Sequence, residues 1–218
     1  MNGRQFAGFW AMTCVGVAMI AGCSSSNSTG STKAVGSLVN TRDELADSRK
    51  QVAETQSALD ALQVPDTDLK MAFATFRREV KESEASATKV RNRAIDMNKR
   101  AAEYQKTWQQ ETAELNNPDL RASAQARAAK VRARYDVLVA KAADARGAYE
   151  PWITGLKDIE KYLRNDLTAA GIRNAEPGFR KSKVEGQKLA QKMDALATEL
   201  DNVAASISPT PVPPAEAK

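Results

Sequence analysis

Residues 69–115 read LKMAFATFRREVKESEASATKVRNRAIDMNKRAAEYQKTWQQETAEL, and this stretch decides the fold. Its apolar residues recur at alternating spacings of four and three, beginning with Leu69, Phe73, Phe76 and Val80. A strict seven-residue repeat of this kind predicts an α-helix whose apolar seam packs in a coiled coil. The alternating pattern of a β-strand is missing from the sequence, so we expect an all-α protein.

The run after Asn117-Pro118 has the same repeat. When the chain is folded back at this turn, the two seams come into register, with Trp108 opposite Ala128 and Tyr135 opposite Ala101. Large residues that face small ones fill the space between two helices at an even density. We therefore predict an antiparallel pair of long helices in coiled-coil packing.

Two shorter helices are expected on either side of this pair, because their apolar seams are shorter. The four predicted helices are about 38–62, 69–116, 119–170 and 178–207. Folding the outer helices back makes both of them end level with about residues 93 and 141. We therefore expect a rod with a four-helix base and a projecting two-helix arm. Within this arm, Glu103 is expected to face Arg132, and Glu114 is expected to face Arg121.

Pro151 lies inside the third predicted helix. Because proline has no backbone N–H, the helix loses the hydrogen bond to the carbonyl of Gly147. We predict a kink at this position, and a break into two separate helices remains the alternative.

The first 22 residues carry one charge, Arg4, followed by an apolar stretch without acid or base. This pattern is typical of a secretory signal peptide. Ile20-Ala21-Gly22-Cys23 resembles the bacterial lipobox, which implies cleavage before Cys23 and lipidation of that cysteine. An uncleaved single-span anchor is the alternative, because the apolar stretch is at the short limit for a membrane span.

The lipobox resemblance also implies a location. Aspartate after the cysteine retains such proteins at the inner membrane, and Ser24 stands there instead, so the outer membrane facing the periplasm is favoured. Residues 23–37 are rich in serine, threonine and glycine and are predicted to form a flexible tether from the lipidated cysteine. Residues 208–218 contain four prolines and are expected to form a disordered tail.

The composition lacks the residue types on which most catalytic mechanisms depend. The chain has no histidine, and its two cysteines, Cys14 and Cys23, both precede the helical region. No glycine-rich phosphate loop and no metal-ligand spacing is present in the sequence. We therefore expect a non-catalytic protein without cofactor or metal, and an enzyme is the last alternative.

The expected interaction surface is the arm, because only two helices cover its aromatic and basic residues. These residues are Tyr104, Trp108, Asn116, Asn117, Arg121, Arg127, Lys130, Arg132 and Arg134. Core packing and a solvated face are the simpler interpretations of the same residues. The expected function is a tethered helical scaffold that contacts another protein or the cell wall. The alternative is a peripheral protein that binds anionic lipid through its basic faces. Export argues against nucleic acid, and a homo-oligomer is left open.

A family resemblance is carried by scattered positions, which are Trp108-Gln-Gln-Glu111, Leu120-Arg121 with Ser123, Arg132-Ala-Arg134-Tyr135, Pro151, and Tyr162-Leu-Arg-Asn-Asp-Leu167 leading to Gly171-Ile172. Together they resemble an uncharacterised bacterial family called domain of unknown function 2959. Members of that family tend to have Lys-His where Arg164-Asn165 stand here. The resemblance implies a helical fold in a lipoprotein or exported protein, and it implies no activity.

Overall fold

The structure is a computed structural model that describes the backbone of residues 26–208 and the side chains from residue 30 onward. Its helices are α1 (Ser26–Ala61), α2 (Leu69–Ala113), α3 (Pro118–Asn165) and α4 (Ala169–Ile207). Residues 26–208 contain no strand, which confirms the predicted all-α class. The predicted signal peptide, Cys23 and the tail beyond residue 208 lie outside the described residues.

The helices contact one another as a closed ring in the order α1, α2, α3, α4. Contacts between α1 and α4 run in opposite chain directions, since Arg42 bonds Asp201 at 2.8 Å and Lys183 contacts Asp60 at 3.2 Å. Diagonally opposite helices do not approach each other closely. Among the four neighbouring pairs, α2 and α3 have the fewest close backbone approaches.

Side chains bridge α2 and α3 along their length. The Tyr135 hydroxyl donates to Asn98 Oδ1 at 2.7 Å, and the Lys157 ammonium lies 2.8 Å from a carboxylate oxygen of Glu84. The two pairs connect later residues of α3 to earlier residues of α2, so these helices are antiparallel. Trp152 is the largest of the fully buried side chains among the described residues.

The prediction of a flexible tether is wrong from Ser26 onward, because α1 begins there and includes residues that were expected to be flexible. Ser31, Ala34 and Ser37 are buried and extend the apolar seam of Leu38 by two turns. The Ser37 hydroxyl donates to the carbonyl oxygen of Ala34 at 2.8 Å, so it needs no partner from solvent. Tertiary burial therefore overrides the low helix propensity of serine and glycine.

The prediction of a break between helices at residues 171–178 is wrong. The connection between α3 and α4 occupies residues 166–168, and α4 continues through Pro177 as a helix. Thr168 caps α4, since its side chain accepts a hydrogen bond from the N–H of Gly171 at 3.0 Å. A Cβ on Gly171 would overlap the carbonyl oxygen of Asp166, which is why glycine stands at this tight reversal.

Pro151 leaves α3 in one piece. The helix runs from Pro118 to Asn165 with Pro151 inside it, so the alternative of two separate helices is wrong. The next residue, Trp152, is fully buried, and Leu156 one turn later is equally inaccessible. Burial of Trp152 and Leu156, just after the interruption, holds the helix together where proline removes one backbone hydrogen bond.

The outer helices reach further along the central pair than predicted. A small cavity, about two turns into α1, is lined by residues of all four helices, among them Ala34, Tyr104, Val131 and Ile207. The predicted arm was expected to be bare from residues 94 and 141 onward. Instead, α1 and α4 cover the central pair as far as Tyr104 and Val131, because α1 begins at Ser26 rather than at residue 38 and because α4 folds back at 166–168, earlier than predicted.

Candidate interaction surface at the hairpin end

The candidate surface comprises residues 104–134, called the hairpin end below: the last part of α2, the connection, and the first part of α3. The reversal is built by Asn117, whose side chain accepts hydrogen bonds from the N–H groups of Asp119 and Leu120 at 2.9 and 3.2 Å. Pro118 occupies the first turn of α3, where its missing N–H costs nothing. Asn116 and Asn117 are both exposed.

Arg121 stabilises the other side of the reversal. Its Nε donates to the carbonyl oxygen of Leu115 at 3.0 Å, just after the end of α2. A cation at a helix C-terminus satisfies carbonyl groups that lack a helical partner and complements the helix dipole. Arg121 was predicted to face Glu114, and its bond to the Leu115 carbonyl corrects that expectation.

Tyr104, Trp108 and Arg127 form a stacked cluster between α2 and α3. The rings of Tyr104 and Trp108 meet edge to face with centroids 5.4 Å apart, and the Arg127 guanidinium lies 5.4 Å from the Trp108 ring centroid. Burial raises the pKa of the Tyr104 hydroxyl above its ordinary value, while the positive charge of Arg127 opposes this shift. Tyr104 is buried, so it belongs to the core and is unavailable to a partner; Trp108 is half-buried beneath Arg127.

The remaining predicted basic residues lie on the surface of α3. Lys130, Arg132 and Arg134 are exposed, and Arg134 donates to the backbone carbonyl of Asn202 in α4 at 3.3 Å. Glu103, predicted to face Arg132, instead accepts a hydrogen bond from Arg100 at 3.3 Å. The structure thus gathers these cations on one end of the bundle without the carboxylates that the sequence suggested for them.

Charge is distributed unevenly between the two ends of the bundle. Residues 120–135 contain five basic residues and no acidic one. None of these five forms an ion pair with a carboxylate within residues 30–208, whereas Arg42, Arg77 and Lys157 elsewhere do. Residues 104–134 together hold six basic and three acidic residues, so the hairpin end presents a net positive charge to solvent.

Two further residues at this end were missed by the sequence reasoning. Leu120 has 58% of its surface exposed beside the reversal, although leucine usually lies inside a bundle. Lys33 is exposed on α1 and is the only charged residue in 26–40. Leu120 could have been noticed because it lies off the apolar seam of α3. Lys33 could not, because its segment was assigned to a tether.

No described residue suggests a metal centre or a membrane span. Within residues 26–208, no group of three or more histidine, cysteine, aspartate or glutamate side chains is placed to hold a metal ion. None of the four helices in this range contains an apolar stretch long enough to span a bilayer.

The fold and this surface define the chain as an all-α helical bundle with a basic hairpin end. Residues 29–207 match the family described as "Protein of unknown function (DUF2959)". The chain belongs to this family, as the resemblance around Trp108 and Tyr162–Leu167 predicted. The search of curated proteins gave no match, and neither did the search of solved structures.

Proposed function

We propose that this protein is a non-catalytic, lipid-anchored protein of the bacterial envelope whose helical bundle carries an interaction element at the hairpin end. In this proposal the chain is cleaved before Cys23, is lipidated on that cysteine, and faces the periplasm from the outer membrane. The apolar leader, the lipobox-like Ile20–Cys23 sequence and Ser24 support the anchor and the location.

The coverage of the central helices supports the interaction element. α4 ends at Ile207 near Val131, α1 runs about one turn past Tyr104 to Ser26, and α3 begins 13 residues before Val131. At 1.5 Å per residue, these residues correspond to about 20 Å of helix. We infer that this part of the α2–α3 hairpin projects from the four-helix base as a short coiled-coil arm. Its exposed cations are the single observation that most favours a binding role.

Lipidation at Cys23 is tested by metabolic labelling with an alkyne-bearing fatty acid in the native bacterium. We expect the wild-type chain to incorporate the label and to fractionate with the outer membrane, and we expect Cys23→Ser to do neither. Ser24→Ala keeps the cysteine and serves as the matched control. Absence of label from the wild-type chain would refute the anchor.

The antiparallel pairing of α2 and α3, on which the hairpin depends, is tested with spin labels on a chain that starts at Ser24, which contains no native cysteine. Ile95 and Val139 are exposed and each lies about one turn from the hydrogen-bonded pair Asn98 and Tyr135. Cysteines at 95 and 139 should give the short distance of neighbouring helices, whose axes are about 10 Å apart. A separation of several nanometres within one molecule contradicts the hairpin.

A further inference from the structure

We propose that the basic hairpin end binds the anionic phospholipid headgroups of the membrane that holds Cys23, so that the bundle is fixed at its anchored end by two contacts. This inference rests on the proposed lipid anchor and names the partner of the interaction element. It differs from the expectation that the arm contacts another protein or the cell wall.

The position of α1 determines which end of the bundle lies near the anchor. Ser26, the first residue of α1, follows Cys23 by three positions, and three residues span at most about 10–11 Å. A Cβ on Gly30, one turn further along α1, would lie 4.0 Å from the ring of Tyr104. The helix therefore starts at the hairpin end and runs away from it, which brings the hairpin end to the anchored side.

The charge at this level of the bundle is complementary to phosphate. Lys33 on α1 and the five cations of residues 120–135 lie at the same end as the first residue of α1. Lys130 and Arg132 are exposed and have no carboxylate partner within residues 30–208. Cations close to an anionic membrane surface gain attraction that exposed ion pairs within a protein do not provide.

Leu120 adds an apolar contact of its own. It is 58% exposed at the reversal, the part of the hairpin furthest from the base. An exposed leucine flanked by a cation, here Arg121, suits the boundary between headgroups and acyl chains, where the apolar side chain leaves water. Ten residues, about 15 Å of helix, separate Leu120 from Lys130, so both contact the membrane when the hairpin lies along its surface. Burial of Leu120 in lipid would then contribute attraction that salt does not screen.

The test uses the chain that starts at Ser24, which retains residues 26–208 and therefore all four helices and the core that they bury among themselves. Its co-sedimentation is measured with vesicles of phosphatidylcholine alone and of phosphatidylcholine mixed with phosphatidylglycerol. We expect binding to the mixed vesicles at low ionic strength, weak binding to phosphatidylcholine, and release as salt shortens the range of the electrostatic attraction.

Two matched double variants localise the surface. Lys130→Gln with Arg132→Gln should weaken the partition coefficient by about 25-fold, since each cation near the surface is worth roughly fivefold. Lys161→Gln with Lys181→Gln removes the same charge from exposed positions at the opposite end and should leave binding nearly unchanged. Circular dichroism of the wild-type chain and both double variants checks that the bundle is intact.

Any of three results with vesicles would overturn the inference. These are no binding to phosphatidylglycerol vesicles at low salt, equal binding to both vesicle types, and equal loss of binding in the two double variants. Binding to purified cell wall without binding to vesicles would assign the cations to that polymer and would also refute it. None of these outcomes bears on fatty-acid labelling of Cys23, so failure of this inference is distinguishable from failure of the proposed anchor.

Discussion

Replacing Gly171 by alanine should destabilise the bundle, although alanine is the better helix former. A Cβ at this position would overlap the carbonyl oxygen of Asp166 and lie 2.8 Å from its Cγ, so the α3–α4 connection must move. Overpacking of this kind costs about 1–3 kcal/mol. Disturbing the Thr168 cap costs about a further 1 kcal/mol, which the helix propensity of alanine offsets by a similar amount.

The expected net loss in the free energy of unfolding is about 2 kcal/mol, which corresponds to a fall in Tm of about 4–8 °C for a chain of this size. Thermal unfolding followed by circular dichroism measures it directly. Gly147→Ala is the matched control, because a Cβ there meets nothing within 4 Å. That variant should gain about 0.5–1 kcal/mol and unfold at a higher temperature. If Gly171→Ala also raised the Tm, the steric reasoning at the connection would be wrong.

Three further predictions concern single contacts. Burial raises the pKa of Tyr149 to about 12 from its ordinary value of 10.0, so the fold favours the neutral phenol. This stabilisation is complete below pH 10 and is lost as the pH rises towards 12, so urea midpoints of Tyr149→Phe should fall less steeply there than those of wild type. Arg121→Gln removes the bond to the Leu115 carbonyl and should lower stability by about 0.5–1.5 kcal/mol, and an unchanged urea midpoint would contradict the capping role. Thr55→Val leaves the buried Ser83 hydroxyl without its 2.8 Å partner and should cost about 1–3 kcal/mol. Adding Ser83→Ala should recover part of that loss in a double-mutant cycle, and strict additivity would refute the coupling.

The long central helices could be predicted because their sequence is locally consistent. The apolar repeat from Leu69 onward and the turn at Asn117-Pro118 define two helices, and the caps at Asp68 and Asn117 agree with them. A period of seven over many residues, together with few glycines and prolines, leaves little choice of secondary structure. The facing aromatic and small residues gave the antiparallel direction as well.

The outer helices could not be bounded in this way. Residues 26–37 read as a flexible segment because serine, threonine and glycine disfavour helix in isolation, and Gly171, Pro177 and Gly178 read as a break for the same local reason. Both segments become helical because neighbouring helices bury one face of them, as Ser37 and Ile172 illustrate. Burial by distant parts of the chain is invisible to a reading of local propensity.

The candidate surface was partly visible in advance. The cluster from Arg121 to Arg134 is evident from composition, but the sequence paired Arg121 and Arg132 with glutamates. In the structure, Arg121 instead donates a hydrogen bond to a backbone carbonyl, and the Arg127 guanidinium lies over the Trp108 ring. Side-chain partners depend on rotamers and on small axial offsets between helices, which the seven-residue repeat does not specify.

The sequence by itself determined the all-α class, the two long helices and the concentration of positive charge in α3, since each depends on local spacing or composition. Only the tertiary structure decided that α1 starts at Ser26, that α1 and α4 reach Tyr104 and Val131, and therefore that the start of α1 and the basic hairpin lie at the same end. The reason is physical: helix periodicity is encoded within each segment, whereas helix ends are set by the apolar area that neighbouring segments bury together.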